Sequence, residues 1–347
     1  MPKHIVVLVH GMGNWSKDWS KDFRALFEDT YKSYPSLAWR PFEEAFEFVE
    51  VDYNDLFDKL RQQWNDEAEK VVGLIQQGRP GAGAVSSLLK IAQEPSRDTF
   101  LATHVLDVVL YRFVSTVHEA IKGEVRKQIL DGILEDKGTV KGPWSVIGHS
   151  LGTSVVHDVI HGMYADILDY KGHTWKFAAV TRPVLIAMIA NVSRVLETDA
   201  DVYKSLVRPS LDPFAGACQI YLSASHEFDP IVVPKAFRPT DDWPSIQARL
   251  EGRVQLVRIN AIEQKDVHAL DHYFKNPQVH VRILRALTWP DAISDAVLAQ
   301  RSAAYEQSTP LSKFDGLLKQ LKKINLGENS SWKEIIEGFR AAMDLMS

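Results

Sequence analysis

The sequence predicts an α/β fold: a doubly wound, mostly parallel sheet flanked by helices, with a helical insertion and extra helices at the C-terminal end. Three observations lead there. Residues Ile5 to Val9 form a uniformly apolar, β-branched-rich run, the kind buried on both faces of a parallel sheet. Further apolar runs at Phe46 to Tyr53, Trp144 to Ile147, Val184 to Val192, Cys218 to Ser223 and Val254 to Asn260 alternate with helical periodicities. Such alternation implies parallel strands joined by crossover helices. The run ending at Ile147 leads directly into Gly148-His149-Ser150-Leu151-Gly152 and then into a helical pattern, so a sharp strand-to-helix turn is expected there.

Composition narrows the partners. The chain has 347 residues, of which 45% are hydrophobic and 24% charged. These are ordinary values for a globular protein and suit one large domain with insertions. A net charge of −5 and a pI of about 6.2 argue against a nucleic-acid partner, which would call for a basic face. The single cysteine, Cys218, leaves no internal disulfide, so folding needs no oxidising compartment. The apolar stretch Val184 to Ala190 is too short to span a bilayer and has Arg182 and Arg194 close by. No integral membrane association is expected. The first strand begins almost at Met1 without a secretory leader pattern, and the expected location is cytoplasmic.

Taken in order, the first strand ends in the turn-rich loop His10-Gly11-Met12-Gly13-Asn14, followed by a helix over Lys17 to Lys32. After the second strand, Phe57, Leu60, Trp64, Ala68, Val71 and Ile75 recur at helical spacing. Gly78 to Gly83 breaks that pattern, and Val85 to Ala92 is a short apolar helix. Residues from about 55 to 95 therefore read as an insertion, either a lid over an acyl pocket or a surface helix packed on the core. Val105, Val109, Phe113, Val117, Ile121 and Val125 give one long helix an apolar stripe to about Leu134, ended by Lys137-Gly138. The helix after Ser150 runs from Thr153 to about Met163, and residues 161–182 are a candidate cap. The core spans residues 1–290. Residues 291–347 form a helical extension with helices at Ile293 to Gln307, Leu311 to Lys323 and Trp332 to Met346, which either brace the core or join two copies as a homo-oligomer.

The chemistry centres on Ser150. Gly148-His149-Ser150-Leu151-Gly152 matches the G-x-S-x-G nucleophile elbow, and the preceding strand and following helix are the context that motif requires. The glycines let strand and helix approach, while the turn lifts the hydroxyl clear of the sheet. A serine hydroxyl needs a base, and that base an orienting carboxylate. In this type of fold the chain order is serine, acid, histidine. Asp229 follows the Cys218 to Ser223 strand and is the expected acid, with Glu227 and Asp212 as rivals. His268 and His272 follow the next strand, before a helix start at Asn276-Pro277. His268, nearer the strand end, is preferred as the base, with His272 as its alternative. The expected oxyanion donors are the backbone N–H groups of Leu151 and Met12, by position alone. His10 is expected to brace its loop.

With His10-Gly11-Met12-Gly13, the elbow, Asp229-Pro230 and the late histidines in place, the chain resembles the α/β-hydrolase superfamily, and within it the esterase and lipase-like members. The matching residues span 5 to about 288. The resemblance implies attack by serine on a small-molecule acyl ester, an acyl-enzyme intermediate and hydrolysis by water, with no metal or organic cofactor. Thioesterase, amidase or acyl-transfer activity on the same residues is one alternative, and a non-catalytic binding protein of the same fold another. Many members carry one histidine in the late loop; this chain has two. His157-Asp158-Val159-Ile160-His161 has zinc-like spacing, but Asp158 stands where glutamate would act and no third ligand is evident. Gly78 to Gly83 lacks the ending of a phosphate loop and reads as a hinge.

Overall fold

In chain order the strands are β1 (His4–Val9), β2 (Phe46–Val51), β3 (Trp144–His149), β4 (Ile167–Tyr170), β5 (His173–Lys176), β6 (Leu185–Ile189), β7 (Ile220–His226) and β8 (Val254–Ile259). The principal helices are α1 (Lys21–Lys32), α2 (Phe42–Ala45), α3 (Ser115–Ile133), α4 (Leu151–Ala165), α5 (Leu270–Lys275), α6 (Pro277–Leu287) and α7 (Asp295–Ser308). The computed structural model describes residues 2–11, 18–59, 107–108, 110–112, 114–197, 201–229, 231–238, 243 and 252–309, with isolated positions beyond 309.

Six strands make one sheet in the order β2-β1-β3-β6-β7-β8, and every pairing in it is parallel. β1, β3 and β6 are buried along their whole length. Successive side chains of a strand point to opposite faces, so both faces must be covered. α3 and α4 pack on each other and against β1; α1, α5, α6 and α7 pack in a second group that reaches β6 and β8. The step from β1 to β2 runs in one direction and the step from β2 to β3 in the other, so right-handed crossovers send the two helix groups to opposite faces. The reversal also opens a crevice between the C-terminal ends of β1 and β3, where open α/β sheets bind ligands.

Register aims the chain at that crevice. Val9 pairs with Gly148, which brings the loop after β1 alongside Ser150. On the other side, His149 pairs with Ile189, and the Ser150 N–H donates to the Ile189 carbonyl at 3.1 Å. Phe274 of α5 sits between Phe23 and Phe27 of α1, with ring centroids 5.0 and 4.9 Å away. Burying rings of this size contributes about 2 kcal/mol each and fixes α5 beside the crevice. α6 starts as its sequence predicts: the Asn276 side chain accepts from the Gln278 N–H at 2.9 Å, with Pro277 as the first helical residue.

Three expectations need correction. The long helix from 105 to 134 is two: residues 107–112 are helical where described, Val114 is extended, and α3 starts at Ser115. The i+4 spacing of the sequence runs on through the break, and Val117, Ile121 and Val125 of α3 are buried, which is why periodicity alone hides the interruption. The strand expected at Cys218 to Ser223 is shifted to Ile220–His226, since Tyr221 to His226 all pair with β8. Residues 161–182 are not a cap over Ser150. They hold a hairpin of β4 and β5 whose turn, Lys171-Gly172, has both φ angles positive, as a type I′ turn demands. That hairpin follows a helix of 15 residues, so it lies about 22 Å from Ser150. Most of the insertion at 55–95, including the hinge at 78–83, and most of the last two C-terminal helices lie outside the described residues. No helix among the described residues is long and apolar enough to cross a membrane.

The buried Asp158 of α4 ties three segments together. Its carboxylate accepts from the Tyr111 hydroxyl at 2.7 Å and pairs with His118 Nε2 and His157 Nδ1, each at 3.0 Å. Burial disfavours its charge, but the hydrogen bonds from His118 and His157, the charge on His157 and the tyrosine bond outweigh this, and its pKa falls well below the usual range. No metal-binding cluster of His, Cys, Asp or Glu occurs among the described residues; within the zinc-like 157–161 spacing His157 bonds Asp158, while His161 Nδ1 accepts from the Leu206 N–H at 3.3 Å. Asp158→Ala is expected to cost about 3 kcal/mol in urea unfolding at pH 7. A depressed carboxylate stabilises the fold above its unfolded pKa and loses that contribution as pH falls, so the gap between wild type and variant should narrow by about 1 kcal/mol at pH 3. A gap that does not change with pH would show that the carboxylate charge is not what holds these segments.

Candidate active site

β3 delivers the nucleophile candidate in a strained turn. Ser150 has φ 52° and ψ −126°, an unfavourable pairing for a residue with a Cβ. Its surroundings over-determine it. Ser150 N–H is held by Ile189, and its carbonyl accepts from the Thr153 hydroxyl at 2.6 Å and the Thr153 N–H at 2.9 Å. The Thr153 oxygen in turn accepts from the Val192 N–H at 3.0 Å. That bond steadies the neighbouring loop, where Ala190 also has a positive φ of 50°.

Glycines permit the crowding. A Cβ on Gly152 would strike the His10 carbonyl and lie 2.5 Å from the Val9 carbonyl. One on Gly11 would lie 2.7 Å from the Ser150 Cβ. Real Cβ atoms do not sit that close to another heavy atom, so the loop after β1 can reach Ser150 only with glycine at both places. His10 braces this loop: its Nδ1 lies 2.7 Å from the Gly11 carbonyl and its ring stacks on Tyr53 at 4.1 Å. The Tyr53 hydroxyl donates to the His10 carbonyl at 2.5 Å.

The acid and base candidates arrive from the far half of the sheet. Asp229 lies three residues past β7 and is fully buried; His268 lies in the loop between β8 and α5. His268 Nδ1 is 2.7 Å from Asp229 Oδ2, and His268 Nε2 is 2.8 Å from Ser150 Oγ. A carboxylate only accepts, so the imidazole carries its proton on Nδ1 and turns the Nε2 lone pair to the serine hydroxyl.

The electrostatics favour that arrangement. For Asp229, burial pushes the pKa up, but the His268 charge and the hydrogen bonds from His268, Tyr273 and the Ile231 N–H prevail, and the net shift is downward. For His268, burial lowers the pKa, but the Asp229 charge, the bond to it and the Asp266 charge prevail, and the net shift is upward.

The alternatives lie elsewhere. Glu227 is exposed and faces Arg258 at 3.9 Å, and Asp212 is exposed and accepts from the Phe214 N–H. His272 is buried against His226, with rings 5.2 Å apart. Neither His272 nitrogen finds a hydrogen-bond partner, and burial with the neighbouring His226 lowers its pKa to about 4. The structure thus brings Ser150, His268 and Asp229 together and leaves His272 behind the acid. Leu151 is the first residue of α4, where an N–H has no intrahelical acceptor. The second expected donor, Met12, lies outside the described residues.

Sequence reasoning missed Tyr273. Its hydroxyl donates to Asp229 Oδ2 at 2.8 Å and accepts from the His226 N–H at 2.8 Å. Only its place one residue before Phe274, whose ring docks on α1, turns it toward the acid; no motif carries that signal. No family model, curated protein or solved structure matches the chain.

Tyr273→Phe removes a hydrogen bond to a charged group and strands the His226 N–H. It should lower stability by about 2 kcal/mol in urea unfolding and weaken the hold on Asp229. A variant as stable as wild type would mean that Tyr273 fills space and no more.

Proposed function

We propose that the chain is a serine hydrolase of the α/β-hydrolase fold that cleaves carboxylic esters of small acyl substrates. The observation that carries this reading is the hydrogen-bonded series Ser150–His268–Asp229, with distances of 2.8 and 2.7 Å, ending on a serine at the tip of a strained strand-to-helix turn. The parallel sheet order and the crevice between β1 and β3 agree with it.

In this reading Ser150 Oγ attacks the ester carbonyl carbon while His268 Nε2 takes the hydroxyl proton. The carbonyl oxygen becomes an oxyanion, met by the Leu151 N–H and by the Met12 N–H of the glycine loop. Asp229 holds the imidazole in its Nδ1–H tautomer and stabilises the imidazolium. Collapse breaks the bond to the leaving alkoxide, which receives the proton from His268. Water then attacks the acyl-Ser150 ester, giving its proton to His268, and collapse returns that proton to Ser150 Oγ as the acid departs. These steps call on no metal or organic cofactor.

A fluorophosphonate probe should label the wild type and not Ser150→Ala, and a p-nitrophenyl ester series should be turned over. His268→Ala should lower kcat by at least about 1,000-fold, while His272→Ala keeps the chemistry. Labelling that persists in Ser150→Ala would reject the nucleophile. A folded wild type that neither labels nor turns over would point to a binding protein instead. Preference for acyl-CoA or amide substrates over esters would move the activity to another acyl transfer.

The pH profile gives a further test. His268 must be neutral to take a proton, and its pKa lies above the ordinary 6.5. The kcat/KM limb should therefore rise with pH, with its midpoint above that value. Asp229→Asn removes the charge that sustains the shift, so the midpoint should move down while kcat falls about 10,000-fold. An unmoved midpoint in that variant would show that Asp229 does not set the base.

A further inference from the structure

We infer that His149, the variable residue inside the elbow motif, is a positioning residue that locks the loop carrying the base to the turn carrying the nucleophile. The inference rests on the serine-hydrolase reading and concerns how that site holds its geometry. His149 is buried at the end of β3, next to Ser150 in the chain. Its Nε2 lies 2.7 Å from the backbone carbonyl oxygen of His268, which is 119 residues away in sequence. A carbonyl oxygen accepts and never donates, so Nε2 carries a proton and donates it. On the other side of the same residue, the His268 N–H donates to Asp266 Oδ1 at 3.0 Å. The main chain of His268 is therefore clamped at both peptide groups, by its own loop on one side and by the elbow on the other.

This clamp does something the Asp229 bond cannot. Asp229 fixes the direction of the imidazole but stands on the β7 side of the site. His149 ties the base directly to the strand that carries Ser150, so the separation between Nε2 of His268 and Oγ of Ser150 is set within one linked unit. The ring remains a neutral donor: burial is the main cause, with the adjacent His268 adding to it, and together they bring its pKa down to about 3. It adds no second cation when His268 becomes an imidazolium. The rings of the two histidines are 5.2 Å apart, close enough for a second charge to oppose protonation of the base.

Substitution separates the bond from the bulk. Glutamine carries an amide N–H to about the position of an imidazole Nε2, whereas asparagine reaches only to that of Nδ1. His149→Gln should stay within about threefold of wild-type kcat. His149→Leu and His149→Asn should lose about 10- to 100-fold in kcat on a p-nitrophenyl ester with KM little changed, as expected when reacting groups are misplaced by up to about 1 Å. Melting curves identify the folded variants, and the Gln and Asn pair decides the matter if His149→Leu does not fold. Leucine at the wild-type rate, or glutamine as slow as asparagine, would overturn the role of His149 while leaving the hydrolase reading intact. A wild type that fails to react with the fluorophosphonate overturns the reading itself.

Discussion

The loop after β1 and the first turn of α4 pass so close to each other that neither Gly11 nor Gly152 has room for a side chain. The rest of the site depends on that approach. It comes from the parallel pairing of β1 with β3, which ends at Val9 opposite Gly148 and leaves both strands to turn over the same spot. Ser150 is held at positive φ where strand gives way to helix, and the strain is borne by its N–H bond to the Ile189 carbonyl and by the bonds its own carbonyl accepts from Thr153, whose hydroxyl oxygen is in turn held by the Val192 N–H. A rigid, crowded turn of this kind presents its hydroxyl in one direction, which is what a fixed base requires.

Four histidines lie around the acid and the elbow, and burial treats them alike, disfavouring the charged ring. His149 falls to about 3, His272 to about 4, and His226 also drops. His268 alone among them rises, because it alone bonds a carboxylate whose own charge is secured by Tyr273 and the Ile231 N–H. The difference is one of partners and not of depth. Neutral rings pack and donate single hydrogen bonds, while the one ring facing Asp229 can take a proton and keep it briefly. In the proposed reaction that contrast confines the charge to the place where it is needed.

The parts legible in the sequence were those with a local signature. Buried parallel strands announce themselves by unbroken apolar runs, and the elbow by its glycines, because both are set by contacts within a few residues. Asp229 and the pair His268 and His272 drew notice by their places after β7 and β8, since chain order follows from the sheet. The choice between His268 and His272 was not readable, because four residues of separation on one short segment reverse which ring faces the serine, and only the docking of α5 through Phe274 fixes that. Tyr273 and His149 were invisible for the same reason: their partners lie across the fold, at separations of 44 and 119 residues. The interruption at Val114 was masked by a stripe that continues through it.

The same chain contains a second Ser–His–Asp series, and its surroundings differ from those at Ser150. His157 Nε2 lies 2.9 Å from Ser205 Oγ and His157 Nδ1 3.0 Å from Asp158 Oδ1, distances close to those at Ser150. Yet Ser205 Oγ also accepts from the Val207 N–H at 3.2 Å and lies 3.3 Å from the Val202 carbonyl, so its bonding capacity is taken up by its own loop. Asp158 divides its charge among His157, His118 and Tyr111 to join three segments. The series at Ser205 is a fastening. What sets Ser150 apart is the backbone beneath it: a hydroxyl on a strained turn, a helix N-terminus behind it, and Gly11 packed so closely that a side chain there would strike the Ser150 Cβ.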